Sequence, residues 1–555
     1  MKKVKRIIAL LLTAVMIIGV LAACGKKDEG DDTQSDTDAT PTGVPAGTDN
    51  ETTGGAADVN PYAERIKFTM SVVDAEKAGL TDSGEIAGNF KWLCDEFNVE
   101  FEFWPLTWSN YIDQTRMWLN SDSAPDLIML DVAPVRYSEY LDWVEAGLFK
   151  AYPDLANYPN MKMRYDKMTT GKMFSVDGQL YAWPAYMDSD QYNFTQPNGY
   201  MYRKDWAQAV GLFKEDEIYT WDEWQALVKA VIEQDPGKNG TGKTIGIMAN
   251  NDWNFPKAIV GSISPYMLSF KQGADGTWVW GATLPETLEA VKTTKAMYDA
   301  GLIWSDQPML TENDFANNFN AGKLFSNSVG NITVNGLNDI EKQWSDANPD
   351  LKAEDCISLA TVLGVDGKLM AYQSSDQWSQ TAMSHAISDE KAERWAAIVD
   401  YLVSEDGYNF RNFGIQDVDW KYAADGSVEC LWNTDADGNY INPYSYGTWP
   451  WARSVGTHDA FALVNPAYPQ WQRDLVIRQQ ERYRDAETII PLDAEFAFFT
   501  TEAYDAAVAG LEKATYTKIT ELMTSKDIEA DWTAWVNQKS AEVQPAIDEL
   551  NANLK

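Results

Sequence analysis

Between Ile66 and Leu130 the hydrophobic period changes four times, and this succession constrains the fold more than any other feature of the chain. In IKFTMSVV the apolar residues Ile66, Phe68, Met70 and Val72 alternate, the period of a strand half-buried in a sheet. Ile86, Phe90, Leu93, Cys94 and Phe97 then fall on one helical face, which places Cys94 in a core rather than at a reactive surface. VEFEFW predicts a second strand, residues 108–119 a second helix, and DLIML a short, wholly apolar strand of the kind buried in parallel sheets. Crossovers of such a βαβ succession are right-handed. Ligands of open α/β sheets bind beyond the carboxyl ends of the strands. That rule points to Asp74, to the segment 105–108 with Trp108, and to Asp131.

Further along, TWDEWQALVKAVIEQ has Thr220 and Glu223 in capping-box spacing, with an apolar face of Trp221, Trp224, Leu227, Val228 and Val231. It predicts a helix ending near Gln234. The next stretch, DPGKNGTGKTIG, matches the phosphate-cradle pattern from Gly237 to Thr244. A phosphate cradle needs a strand before the loop and a helix after it, because loop amides and helix dipole hold the anion together. Here a helix comes first, and Gly246, Asn250, Asn251 and Pro256 prevent a long helix from following. The match is fortuitous, and no nucleotide is expected.

The start of the chain carries an address. Lys2, Lys3, Lys5 and Arg6 precede an apolar stretch from Ile7 to Leu21, which ends at Leu21-Ala22-Ala23-Cys24. This is an export signal over residues 1–23, and its apolar stretch of 15 residues is short for a membrane span of roughly 20. Residues 24–60 are rich in Asp, Thr, Gly, Ser and Pro and hold almost no large apolar side chain, so they read as a disordered acidic tether. Such a tether reaches roughly 30–36 Å before its charge stretches it further. The remaining residues, 61–555, form the folded body.

A formal net charge of −38 makes nucleic acid and anionic membrane surfaces poor partners. Of the four cysteines, Cys24 stands directly after the leader, at the head of the tether, and the odd remainder of Cys94, Cys356 and Cys430 does not make a disulfide framework. His385 and His458 stand in no metal-ligand spacing. The signatures GxSxG, HExxH and CxxC are missing, which weighs against hydrolytic triads and zinc sites. Carboxylates are too abundant for any pair to stand out, so a lipid-anchored glycan-cleaving enzyme stays open on this ground.

Read in order along the chain, several segments resemble one family. They are LNSDSAPDLIML, EAGLFKAYPDLANYPNMK, VDGQLYAWPAY, YMYRKDWAQAVGL, YTWDEW, YDAGLIWSD, FNAGKL and HAISDEKAERWAAIVDYLVSEDG followed by FGIQDVDW. Together these segments resemble the extracellular solute-binding lipoproteins of ATP-driven (ABC-type) importers, in the long oligosaccharide-binding branch of family one. Gln416 and Asp417 depart from the family's usual Glu and Gly. The resemblance implies an α/β, two-lobed periplasmic-binding-protein-like fold with crossing hinge segments, its lobes discontinuous in sequence and closing on a ligand between them. It also implies that LAAC is a lipobox whose Cys24 becomes the lipidated amino terminus, which anchors the body on the outer face of the cytoplasmic membrane. At Asp235 the resemblance implies a calcium-type loop in degenerate form. Asp235, Asn239 and the backbone of Thr241 still offer oxygens, but Gly237 and Lys243 stand where two more donors are expected. Occupancy by calcium is not expected, nor is any cofactor.

The chain holds 23 Trp and 26 Tyr, and sugar rings stack their C–H faces on aromatic rings while their hydroxyls bond to polar groups. Trp221, Trp224 and Trp395, at helical spacing, are assigned to cores. Trp108, Trp183, Trp253, Trp378, Trp420, Trp449 and Trp451 lie in Pro-, Asn- or Asp-rich segments near strand ends and are the candidate platforms. Tyr186 and Asn193, at the end of the proline-containing WPAY loop and beyond it, join them because the chain is expected to approach the other lobe there, with Asp74 and Asp131 as hydroxyl acceptors. The expected function is a non-enzymatic, monomeric, lipid-anchored protein that captures an oligosaccharide and presents it to a membrane permease. The alternatives are the glycan-cleaving enzyme and a binder of peptides or other solutes on the same scaffold.

Overall fold

The computed structural model describes residues 62–133, 136–187, 194–195, 199–249, 261, 263–311, 313–328, 333–435, 438–444, 447–456 and 463–554. Cys24 and the tether lie outside the described residues. So do Asn193, Trp253 and the side chain of Trp449.

The chain begins with β1 (Ile66–Val73), β2 (Val99–Leu106), β3 (Leu127–Leu130), β4 (Phe149–Lys150) and β5 (Ala182–Tyr186), all in one sheet. It crosses through β6 (Phe194–Thr195) to a second sheet, which takes β7 (Gly199–Arg203), β8 (Ile218–Tyr219), β9 (Ile245–Ala249), β10 (Leu324–Ser328) and β11 (Ile357–Val362). Through β12 (Met370–Gln373) it returns to the first sheet as β13 (Gln377–Ser384), and a late strand, β14 (Thr488–Ile490), joins β12.

In the first sheet the order is β2-β1-β3-β13-β4, with β5 also paired to β13. β1 and β2 run parallel in register from Ile66 opposite Val99 to Val73 opposite Leu106. The helices Gly88–Glu96 and Tyr111–Asn120 connect the first three strands. LIML of β3 is buried along its length, as an apolar run between two neighbours must be. One of those neighbours differs from the sequence expectation: β13 is antiparallel to β3 and comes from much later in the chain. Cys94 lies in the core with Leu93 and Phe97, whereas Ile86, which precedes the helix, is 65% exposed.

The second sheet has the order β8-β11-β7-β10-β9. Every residue of β7 is buried, because side chains that alternate across a strand meet a core on each face here. Tyr200 and Tyr202 join Trp224, Val228 and Phe325 in one cluster, while Met201 joins Met248, Trp344 and Val476 in another. The helix Trp221–Gln234 starts at Thr220 with both halves of its capping box formed and buries the five predicted apolar residues. Its last carbonyls are closed by Asp235, whose φ of 46° lies in the left-handed region.

The crossings meet in a third, small sheet of order β14-β12-β6. β6 leads from the first sheet to the second and β12 leads back. β14 follows the helix Gln470–Arg484, whose Val476 is in a second-sheet core, and precedes Phe498, which is in the first-sheet core. Asp376, between β12 and β13, is buried, and its carboxylate accepts from the backbone N–H groups of Thr169, Thr170 and Gly171 and from the Thr170 hydroxyl. Its carbonyl accepts from Met187 N at 2.9 Å, so one residue ties two crossing segments to the first sheet. Among the described residues, no helix is long and apolar enough to cross a membrane.

Candidate ligand-binding site

The carboxyl ends of β1, β2 and β3 converge on the start of antiparallel β13. Asp74 follows β1 with a left-handed φ of 57°, and Trp108 and Asp131 follow β2 and β3. Beneath them Val73, Leu106, Tyr111, Trp118 and Met129 form a small apolar cluster that supports the edge. Trp378 sits in β13 where the pairing with β5 shifts register between Gln377 and Gln380. Such an irregularity re-aims side chains that a regular strand would alternate.

The two indoles meet there. Trp108, 45% exposed, has its ring centre 6.0 Å from that of half-buried Trp378, and its edge packs on Tyr111. The Arg453 guanidinium lies 4.6 Å from the Trp378 ring centre and 5.4 Å from that of Trp108. Cation–π contacts of this kind hold a planar donor group flat against aromatic faces. The helix Trp449–Ser454 is held in place by Ser379 Oγ donating to Arg453 O at 2.6 Å and Thr381 Oγ1 donating to Ser454 O at 3.0 Å. Burial lowers the Arg453 pKa from its ordinary value, and the charge of Asp74 opposes that shift.

A second cation stands on the other side. Arg136 Nη1 donates to the Tyr111 hydroxyl at 2.7 Å, and that hydroxyl donates to the Asp131 carbonyl at 3.2 Å. Burial raises the Tyr111 phenol, with the Asp131 charge adding to the effect. Burial also raises the Asp131 carboxyl above its ordinary value, and Arg136 only partly offsets this. Buried Gln380 fixes the loop, accepting from Val132 N at 3.2 Å and donating to Gln377 Oε1 at 2.6 Å. The edge thus presents two aromatic faces, two guanidiniums and two carboxylates within one stretch of surface.

Four sequence candidates, Asp74, Trp108, Asp131 and Trp378, come together here, and four others do not. Trp183 is fully buried, its indole N–H donating to Val455 O at 3.1 Å. Trp420 is buried and donates to Gly414 O at 2.9 Å. Trp451 is fully buried, stacked on Phe90 at 5.8 Å and edge-on to Phe101. Tyr186 is buried under the Arg164 guanidinium at 5.3 Å. A ring without exposed surface offers no face to a ligand, so these four are core residues rather than platforms. Sequence reasoning missed Tyr111, Arg136, Gln380 and Arg453. Arg453 was within reach, since it lies two residues beyond Trp451 in a helix, where the side chains turn by about 200°.

The loop after the second-sheet helix is closed on itself. Asp235 Oδ1 accepts from Asn239 N at 3.0 Å and from the Thr244 hydroxyl at 2.5 Å, and Oδ2 accepts from Gly240 N at 2.8 Å. These bonds, the Thr244 hydroxyl first, lower the Asp235 pKa. Asn239 Nδ2 donates to Thr244 Oγ1 at 3.1 Å and to Gly322 O at 3.0 Å. A Cβ on Gly237 would stand 2.6 Å from the Trp206 ring, so an aromatic side chain occupies the space a third-position ligand needs. This donor set does not fit a calcium ion, which wants six to eight oxygens free to turn toward it. No group of three or more His, Cys, Asp or Glu suited to a metal occurs among the described residues.

No protein-family model matches the chain. The polygalacturonan/rhamnogalacturonan-binding protein YtcQ of Bacillus subtilis (strain 168) is 23% identical over 429 residues, 75% of this chain and 79% of that protein. Among solved structures, alginate-binding protein AlgQ2 without calcium ion aligns with a TM-score of 0.61 at 13% identity, covering 88% of this chain and 98% of AlgQ2. The Streptococcus pneumoniae ABC-transporter substrate-binding protein FusA, an EF-hand mutant in complex with fructo-nystose, aligns with a TM-score of 0.61 at 15% identity, covering 88% and 98%. These similar proteins are binding proteins rather than enzymes. The fold is that of the two-lobed solute-binding proteins.

Proposed function

We propose that this chain is the substrate-binding protein of an ABC-type importer and that it captures an oligosaccharide at the edge formed by Asp74, Trp108, Tyr111, Asp131, Arg136, Trp378 and Arg453. The observation that carries this reading is the pairing of Trp108 and Trp378 with Arg453 at the carboxyl ends of three strands, in a fold whose similar proteins are named for saccharides. Indole faces take up the C–H faces of sugar rings, and guanidiniums and carboxylates around them donate to and accept from hydroxyls. The similar proteins are named as binding proteins, which supports the reading that this chain binds its sugar without changing it. The small sheet of crossing strands is the hinge about which the two sheets close on the ligand.

In this reading residues 1–23 are removed, Cys24 carries the lipid, and residues 24–60 tether a monomeric body outside the cytoplasmic membrane, where it delivers its ligand to a permease. No calcium is required. Thermal unfolding against a panel of oligosaccharides tests the function. A true ligand at 100 times its dissociation constant adds about 2.7 kcal/mol, and the recovered sugar carries no new reducing or unsaturated ends. A panel without a shift, or a sugar returned shortened, refutes it. Detergent partitioning of Cys24→Ala tests the anchor, which fails if the variant still partitions as a lipoprotein.

A further inference from the structure

The saccharides named for the similar proteins differ in charge. Polygalacturonan and alginate are polyuronates, whereas fructo-nystose is uncharged. The names do not choose between these classes, but the arrangement of charge at this edge does.

Each guanidinium of the edge shares its field with one carboxylate, Arg136 with Asp131 and Arg453 with Asp74. Arg136 is steered by the Tyr111 hydroxyl, which is itself bound to the backbone of Asp131, so guanidinium and carboxylate flank one loop. Arg453 lies over the two indoles in the field of Asp74. Lys77, three residues beyond Asp74, acts on Asp339 of the helix Val334–Ala347, which packs in a core of the second sheet. Glu76 adds a negative charge in the same loop. The edge therefore has no surplus of positive charge among the described residues, and it belongs to a chain of formal net charge −38.

The chemistry of the two ligand classes differs in the matching respect. A sugar hydroxyl donates one hydrogen bond and accepts others, so it is best satisfied between a carboxylate and a guanidinium. A uronate carboxylate only accepts. It needs donors that have no carboxylate beside them, and a like charge nearby raises the free energy of the bound ion. Placed on either indole here, a uronate would meet Arg453 together with the Asp74 charge that acts on it.

We infer that the site takes an uncharged oligosaccharide and discriminates against polyuronates, a conclusion that rests on the sugar-binding reading above. Asp74 and Asp131 act in it as acceptors for hydroxyls and as the repulsive element against acidic sugars.

Calorimetry on the full lipid-free body, with two sets of ligands, tests this. One set holds oligogalacturonates and alginate oligomers. The other holds neutral fructo-, xylo-, arabino- and galacto-oligosaccharides together with fully methyl-esterified oligogalacturonates, which share the backbone of the acid without its charge. The expected result is binding confined to the neutral set, with an esterified oligomer at least tenfold tighter than its acid wherever that backbone is accepted. An acidic oligomer that binds as tightly as every neutral one, with affinity falling as salt rises, overturns the inference and leaves the sugar reading standing. If no member of either set binds, both fall. In Asp74→Asn/Asp131→Asn the ratio of neutral to acidic affinity should narrow at least tenfold. A merely structural role would lower both affinities together, and an unchanged ratio also overturns the inference.

Discussion

Asp131 and Asp235 each stand one residue past a regular element, and their carboxyl groups are shifted in opposite directions. Asp131 is raised by burial with only Arg136 opposing, while Asp235 is lowered by a hydroxyl and two backbone N–H groups. The first is desolvated and under-supplied with donors, a state that strengthens when a ligand brings them. The second is saturated by its own loop, and a ligand could reach it only by breaking those bonds. Charged or polar residues in a loop thus say little about binding until the partners of their atoms are known.

The largest expected effect lies on the first side of this contrast. Asp131→Asn should weaken sugar binding by about 1.5–3 kcal/mol, the range for a hydrogen bond to a charged group, without lowering stability at pH 7. Calorimetry and thermal unfolding on the same samples check it; a loss of stability with intact binding would make Asp131 a structural residue like Asp235. Trp378→Ala should cost about 1–3 kcal/mol of affinity through lost ring contact and apolar burial, and the same change at exposed Trp108 should leave the melting temperature nearly unmoved. Normal binding by both variants would remove the edge from the site.

On the second side, Thr244→Val deletes the hydroxyl that bridges Asp235 and Asn239 and should cost about 1 kcal/mol of stability with sugar affinity intact. The sharpest comparison is in pH. Asp235, depressed in the folded state, contributes stability above its ordinary value of about 3.9 that is lost as pH falls through its lower folded value. Asp131, raised, does the reverse: between about 3.9 and its folded pKa its contribution declines as pH rises. Stability measured from pH 3 to 7 should therefore flatten at the acid end in Thr244→Val and at the upper end in Asp131→Asn. Smallest of all, calcium, chelator and Lys243→Ala should each leave the melting temperature unchanged. Unfolding by chelator that calcium reverses would mean that the loop opens to hold an ion.

Much of this was legible because it is local. The alternation in β1, the apolar run of β3 and the capping box at Thr220 are written within a few residues of where they act. The partner of β3 was not, since antiparallel β13 pairs across some 250 residues and long-range register leaves no local trace. At the edge, the strand-end rule located Asp74, Trp108 and Asp131, but Arg136 and Arg453 look like ordinary surface cations until the fold brings them over aromatic rings. The proline of AWPAY makes the segment around Trp183 read as a loop. It is β5, buried at every residue, and as an apolar run of five it carried a strand signal too.

The place of β13 between β3 and β4 also sets an order of events. A chain made at about 5–20 residues per second exposes the apolar edge of β3 for something on the order of 10–50 s before residue 384 exists. Over that interval LIML is an unpaired, sticky strand edge, the kind that recruits other chains. The second sheet, whose strands all lie between residues 199 and 362, is complete before the first can close. A chain cut short between β11 and β13 thus carries every strand of the second sheet beside a first sheet that lacks its central strand.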